Sequence, residues 1–252
     1  MAVSVVIPCF NHGRTLERAV VSALRQDDVH EIILIDDAST DDSLEVGRAL
    51  AARDSRLQVY SQPVNSGPGA ARNRGVSLAT SPFICFLDAD DELLGNFFGD
   101  ALALFDKSPE LIVAKCEVEF FDPVKGYILP AYDPRHTAAI LSSSCGMVMR
   151  REHYQRMGGF SEDTVFRGPA GGEDVAFMQA VMAHFQPIAR IEQPGYKVWS
   201  KAGSHLDKFL ASTRLTSTGS FEFMPDPKRQ ANADVVASAV ASYLKQVKQL
   251  LP

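Results

Sequence analysis

Apolar and polar positions follow two different rhythms along this chain. Over residues 3–94, short apolar runs of strand length alternate with stretches whose apolar residues recur at helical spacing. Val3–Ile7, Glu31–Ile35, Leu57–Tyr60 and Pro82–Leu87 are the strand-like runs. Between them, Leu16, Ala19, Val20, Ala23 and Leu24 share one side of a helix predicted over Thr15–Leu24. A second helix follows Ser39–Asp42 and runs to about Ala52, and a third, Ala70–Leu78, opens out of the Gly-Pro-Gly loop at Asn65–Gly69. Four strands alternating with three helices predict a parallel, doubly wound sheet. Right-handed crossovers then put every strand's carboxyl end on one edge, so Pro8–Asn11, Asp36–Asp37, Asn65–Arg72 and Asp88–Asp91 are expected to converge.

Beyond residue 94 the pattern becomes mixed. Leu93–Phe105 reads as a helix, Leu111–Phe121 and Tyr127–Leu129 as a hairpin through Pro123–Gly126, and Ser142–Met149 as a strand leading into a helix at Arg151–Met157 that Gly158-Gly159 ends. The glycine-rich loop Thr164–Gly172 precedes Glu173-Asp174 and a helix carrying Phe177, Met178, Val181, Met182 and Phe185. Tyr196–Leu206 reads as a loop and Ser212–Asn232 as an exposed connector. Ala233–Leu251 is amphipathic, with Val236, Val240, Tyr243, Val247 and Leu250 on one face, which is expected to dock on its own domain or on a second copy, with peripheral membrane contact as the alternative. The expected organisation is one domain over residues 1–210, divided into halves at 94/95, followed by a connector and helix over 211–252.

Composition narrows the classes. The 252-residue chain carries a net charge of −6 with its basic residues scattered, which argues against nucleic acid as a partner. Cys9, Cys85, Cys116 and Cys145 are widely spaced, and the first two lie in apolar strands, so core thiols are expected rather than disulfides or zinc ligands. The start, MAVSVVIPCF, reads as a strand and not as a leader, and a cytoplasmic protein is expected, with the inner membrane face as an option.

The chemistry concentrates where the fourth apolar run meets Asp88, Asp90, Asp91 and Glu92, four carboxylates within five positions. They either cap the next helix as a polar turn or hold a cation, because carboxylates so crowded at a strand end are costly to ionise without one. A ligand both polar and anionic would suit the two acidic strand ends and the arginine-bearing Gly-Pro-Gly loop. A nucleotide diphosphate with a bridging divalent cation fits that description. Neither a Walker lysine motif nor G-x-G-x-x-G is present.

PCFN, IILIDDASTDDS, NSGPGAARNRG, CFLDADDEL, MGGF and GGEDVAF stand in an order and spacing that resemble family 2 glycosyltransferases of the GT-A fold, over roughly residues 3–185. The resemblance implies a doubly wound, mostly parallel nucleotide-binding half joined to a mixed acceptor-side half. It also implies inverting transfer of a sugar from a nucleotide-diphosphate donor, a uridine species by family frequency, to a hydroxyl of a surface glycan or lipid-linked sugar. Carried over by position, Pro8 and Phe10 would line the base pocket, Asp37 would hydrogen-bond the base, Arg72 would approach the nucleotide and Asp88 the ribose or sugar. Asp90 would bind Mn²⁺ or Mg²⁺, and Asp174 would be the general base. Each has a plainer reading: strand-end turns for Pro8, Phe10 and Asp37, a surface arginine for Arg72, a helix cap for Asp174. His205, after Gly203-Ser204, is either a third metal ligand or diphosphate contact, or a surface histidine, and Trp199 is either a sugar platform or core. A receiver-like module, an Asp-nucleophile phosphatase and a non-catalytic sugar-nucleotide binder are the rival functions.

Overall fold

Alternation along the first strands decides the layers. Val3, Val5 and Ile7 point to one face of the sheet and Val6 to the other, and Ile32 and Leu34 are likewise opposed to Ile33 and Ile35. All eight are fully buried, so both faces must be covered. The computed structural model describes residues 1–167 and 171–251, the side chains of 227–231 excepted. Its first part runs β1 (Val3–Cys9), α1 (Gly13–Leu24), β2 (Val29–Asp36), α2 (Ser43–Ala51), β3 (Leu57–Ser61), α3 (Pro68–Leu78) and β4 (Phe83–Phe86), in the expected order. These four strands are mutually parallel in the order β3-β2-β1-β4. Strand β1 continues past the expected end at Ile7 through Pro8, which lies beyond the Val3–Val6 span paired with β4.

The chain then runs β5 (Glu92–Leu93), α4 (Phe97–Lys107), β6 (Val113–Asp122), β7 (Gly126–Tyr127), α5 (Pro134–Leu141), β8 (Met147–Arg150) and α6 (Arg151–Arg156). A 3-10 turn at Thr164–Arg167 precedes α7 (Glu173–His184), β9 (Ala189–Trp199), α8 (His205–Ala211), β10 (Thr213–Leu215), β11 (Phe221–Phe223) and α9 (Pro227–Leu250). The large sheet has the order β3-β2-β1-β4-β8-β6-β9-β5, with β7 hairpinned on β6. Strand β8 runs antiparallel to both β4 and β6, while β9 returns parallel to β6, so the second half is mixed. One face is packed by α1, α2 and α4, the other by α3, α6, α7 and α9.

Two readings need correction, and one helix is additional to the expected elements. Tyr196–Trp199 is not loop but the end of the long strand β9, whose Glu192–Gly195 segment breaks the apolar alternation and coincides with two register shifts against Cys116–Val118. Its pairing with β6 holds it in the sheet in spite of that composition. Within the expected connector, β10 and β11 form a hairpin closed by Phe209, Phe221 and Phe223, an aromatic cluster that assembles only when α8 lies beside it. Helix α5 had no expected counterpart; it starts at Asp133, whose carboxylate accepts from the Arg135 N–H at 2.9 Å.

The apolar face of α9 is covered by the chain's own helices: Val240, Tyr243 and Val247 are buried in the same cluster as α7, while Leu250 stays exposed. Tyr243 donates to the Gly159 carbonyl at 2.6 Å, tying α9 to the glycine turn after α6. Within the described residues, no helix is long and apolar enough to cross a membrane. All four cysteines are buried free thiols.

Candidate active site

The loops at the carboxyl ends of β1 and β2 are stitched together by polar contacts. The Asn11 side-chain oxygen accepts from the Thr40 N–H at 2.8 Å, the Asn11 N–H donates to Ser39 Oγ at 3.0 Å, and the His12 N–H donates to Ser43 Oγ at 2.8 Å. Asn11 and Ala38 both adopt left-handed backbone, at φ 60° and 59°. Asparagine adopts that conformation more readily than alanine, so Ala38 holds strain in the loop that follows β2. Between these loops Phe10 is exposed and Pro8 half-buried.

Asp37 is buried, and its carboxylate accepts from the Ser66 N–H at 2.8 Å, the Gly67 N–H at 2.7 Å and Gln62 Nε2 at 2.7 Å. It therefore clamps the Gly-Pro-Gly loop where Gly67, at φ 87°, turns the chain into α3. Helix α3 then delivers Arg72, 2 % exposed, beneath the strand ends. Its guanidinium donates to Asp88 Oδ1 at 2.9 Å and Glu173 Oε1 at 3.2 Å, lies 3.6 Å from Asp174 Oδ1, and sits 5.1 Å from the centre of the Phe160 ring. Burial alone would pull the guanidinium down, but Asp174, Asp88 and Glu173 outweigh it and hold Arg72 well above its ordinary value. Glu173 is pushed the other way: burial and then Asp174 raise it, against the pull of Arg72. Asp37, Arg72, Asp88 and Asp174, from four separate parts of the chain, thus lie along one edge of the sheet.

The acidic strand end splits by role. Asp91 is buried and accepts from Trp199 N–H at 2.9 Å and Tyr196 Oη at 3.1 Å; burial, Asp88 and Asp90 together drive its carboxyl well above the carboxylate range. The Tyr196 hydroxyl in turn accepts from the Asp88 N–H at 3.0 Å. Asp90 is turned outward, 3.3 Å from Lys201 Nζ and 3.8 Å from His12 Nδ1, and Arg18 donates to its carbonyl. Among the described residues, one group of three potential metal ligands gathers within 4.8 Å: Asp88, Asp91 and the Cys145 thiol. Asp90 and His205 are not members of it. His205 is exposed at the start of α8, and its ring packs against Gly171, where an added Cβ would lie 2.9 Å from Cε1. The Trp199 ring is occupied by Arg18, 4.2 Å from its centre, and by Lys197 at 4.7 Å, and its Nε1 donates to Glu92. It is packed rather than offered to a sugar.

Asp174 stands in the first turn of α7. The residue capping that helix is Gly172, at φ 110°, so Asp174 is not the cap. Its Oδ1 accepts from Ser144 Oγ at 2.6 Å, and no described residue donates to Oδ2. Of the loop before it, residues 168–170 lie outside the described residues.

Sequence reasoning missed Tyr196, Ser144 and Lys115. Tyr196 was hidden by the reading of its stretch as loop. Ser144 is an ordinary serine in a serine run. Lys115 carried a signal, a charged residue inside the apolar strand LIVAKC, and it is buried, donating to the Ser143 carbonyl at 2.7 Å and the Cys145 carbonyl at 2.5 Å.

Comparison with known proteins agrees with this architecture. Succinoglycan biosynthesis protein ExoU of Rhizobium meliloti is 42% identical over 101 residues, 40% of this chain and 30% of its own length. The GalNAc(5)-diNAcBac-PP-undecaprenol beta-1,3-glucosyltransferase of Campylobacter jejuni is 34% identical over 119 residues, 46% of this chain and 38% of its own. The chain thus matches only about a third of the length of these relatives. Among solved structures, S. aureus TarS 1-349 in complex with UDP superposes with a TM-score of 0.66 at 22% identity, over 80% of this chain and 61% of that one. Mannosyltransferase PcManGT from Pyrobaculum calidifontis, in complex with GDP-Man and Mn²⁺, gives 0.60 at 18% identity over 98% and 73%. At such identities the two structures establish the GT-A fold. The sequence model for "Glycosyl transferase family 2" matches residues 4–157, which takes in both acidic strand ends and the arginine loop between them, and on that match the chain is a member of glycosyltransferase family 2.

Proposed function

We propose that the chain catalyses inverting transfer of a sugar from a UDP-sugar to an acceptor hydroxyl in the assembly of a surface polysaccharide or glycolipid. The observation that carries the reading is the convergence of Asp37, Arg72, Asp88 and Asp174 on one edge of the sheet, with Arg72 reaching both Asp88 and Asp174. The names of the Rhizobium and Campylobacter relatives and the UDP complex of TarS support the donor and the pathway class.

In this reading Pro8 and Phe10 face the base. The remaining lone pair of the Asp37 carboxylate takes its N–H, and the carboxylate arrives pre-oriented because three other hydrogen bonds already hold it. Asp88 approaches the ribose or sugar. The acids fit a divalent cation on the chemistry they show: three carboxylates crowd together, one of them driven toward its protonated form by burial and then by the other two, and hard oxygen donors suit Mn²⁺ or Mg²⁺. Asp90 would hold the ion, with His205 as a third ligand or as a diphosphate contact. The Cys145 thiol, which burial and the nearby acids keep protonated, is a poor partner for so hard an ion. When bound, the ion neutralises charge on the departing diphosphate. Asp174 Oδ2 accepts the proton of the acceptor hydroxyl as that oxygen bonds to the anomeric carbon and the bond from that carbon to the diphosphate oxygen breaks. General-base help of this kind is worth about 10²–10⁴-fold.

The test is thermal unfolding with UDP, GDP or dTDP, each with Mn²⁺, Mg²⁺ or chelator, on the wild type and Asp90→Ala. Saturation at a hundredfold excess over Kd adds about 2.7 kcal/mol of stability. A shift with UDP that requires both the cation and Asp90 is expected. Stabilisation by no nucleotide would reject the donor site, and stabilisation by UDP with chelator present would reject the metal.

A further inference from the structure

Asp174 is held from behind by a part of the chain that the transfer reading leaves without a task. Strand β6 carries Lys115 into the interior, 4 % exposed, where its ammonium binds the two carbonyls that flank Ser144, those of Ser143 and Cys145. Ser144 is itself fully buried, and its hydroxyl donates to Asp174 Oδ1 at 2.6 Å. A lysine in a strand core is costly, since burial pulls its ammonium below the ordinary lysine range, and a methionine would fill the space without that cost. The segment before β8 has only three residues, 144–146, between Ser143 and the strand, with Gly146 at φ 61°. Apart from that fastening on both carbonyls, the described polar anchors of this backbone are the Ser143 N–H bond to the Ile140 carbonyl at 3.4 Å, the Ser143 Oγ contact to the Cys145 N–H and the Cys116 N–H bond to the Gly146 carbonyl.

We propose that Lys115 and Ser144 are positioning residues for glycosyl transfer: Lys115 sets the Ser143–Cys145 backbone, Ser144 pins Oδ1 of Asp174, and Oδ2 is thereby presented to the acceptor hydroxyl. This rests on the reading of Asp174 as the general base. The division of labour between the two oxygens is what makes the pair more than packing. A carboxylate free to rotate about its last bond offers either oxygen in any orientation, whereas one fixed by a short charge-assisted hydrogen bond offers one lone pair along a set direction. Arg72, 3.6 Å from the same Oδ1, adds charge on that side. Ser144 touches no donor-binding residue named above, so its loss should alter turnover and not nucleotide affinity.

The experiment measures UDP release from UDP-glucose, UDP-galactose and UDP-N-acetylglucosamine, with water as the acceptor, for the wild type, Ser144→Ala, Lys115→Met, Asp174→Asn and the Ser144→Ala/Asp174→Asn double variant. Loss of a hydrogen bond to a charged group predicts a kcat reduced about tenfold or more in Ser144→Ala, with the donor KM and the UDP-induced thermal shift unchanged. Because Ser144 acts through Asp174, the double variant should be no slower than Asp174→Asn alone. Lys115→Met should repeat the Ser144→Ala pattern; should it fail to fold, Ser144→Ala and the double variant decide alone. A Ser144→Ala enzyme with full kcat, one whose defect lies in donor KM, or one whose defect persists in the Asp174→Asn background overturns the proposal. An Asp174→Asn enzyme that keeps its activity, or a wild type that releases UDP from none of the three, overturns the base reading instead and the positioning role with it.

Discussion

The two acidic strand ends of the sheet have opposite electrostatic characters. At the end of β2, the Asp37 carboxylate accepts from two backbone N–H groups and one amide and works as a clamp on the loop that starts α3. At the end of β4, Asp91 is buried beside Asp88 and Asp90, and its hydrogen bonds from Tyr196 and Trp199 do not offset the cost of charge there. One end is relaxed before any ligand arrives. The other holds repulsion that a cation or a proton would relieve. Arg72 joins the relaxed end to the crowded one, being carried by the loop that Asp37 clamps and paired with an acid of the second cluster.

Removing that joint should have the largest effect. Arg72→Met leaves Asp88, Glu173 and Asp174 without their shared cation, and breaking a buried pair on one side costs about 3–5 kcal/mol. Denaturant unfolding of the variant should show a midpoint lowered accordingly, and an unchanged midpoint would mean that the acids find other partners. Asp37→Ala comes next. It strands the Ser66 and Gly67 N–H groups and the Gln62 amide, for an expected loss of about 2–3 kcal/mol, read in the same assay. If both variants are equally mild, the contrast between a clamp and a charge cluster fails.

The smallest effect is the one that depends on pH. Asp91 has its folded-state pKa raised above the ordinary 3.8, so the folded chain holds this proton more tightly than the unfolded chain does. Its contribution to stability is present below the ordinary value and is lost as pH rises through the folded one. With chelator present, Asp91→Asn, whose amide does not titrate, should therefore gain on the wild type as pH rises above the ordinary carboxylate value toward the raised folded one. Unfolding midpoints across that range check it. Parallel curves would show that Asp91 is ionised in the fold at no cost.

How much of this was legible beforehand differs between the halves for a physical reason. In the first half, β1, β2 and β4 are buried on both faces, the edge strand β3 only in part, and each helix on one face, so the hydrophobic pattern and the fold carry the same information, and the meeting of Asp37, Arg72 and Asp88 follows from strand direction alone. In the second half, β9 includes Glu192, Gln193, Pro194 and Gly195, and only its pairing with β6 and β5 makes that segment a strand. Tyr196 reached the acidic cluster through that pairing, and so could not be seen from its neighbours in sequence.

The sequence by itself determined the family motifs, the direction of the first four strands and therefore the edge where the polar loops gather, because local hydrophobic period and crossover handedness leave almost no freedom there. Tertiary structure alone decided which atoms of those residues are engaged. Asp37 became a clamp because the Ser66 and Gly67 amides arrive beside it. Asp91 became the strained member of its cluster because Tyr196 and Trp199 close over it. One oxygen of Asp174 is held, and the other has no donor among the described residues, because Lys115 and Ser144, 59 and 30 residues away, are brought behind it. Hydrogen bonds between distant segments depend on positions to a fraction of an ångström, and no pattern of residue types carries that information.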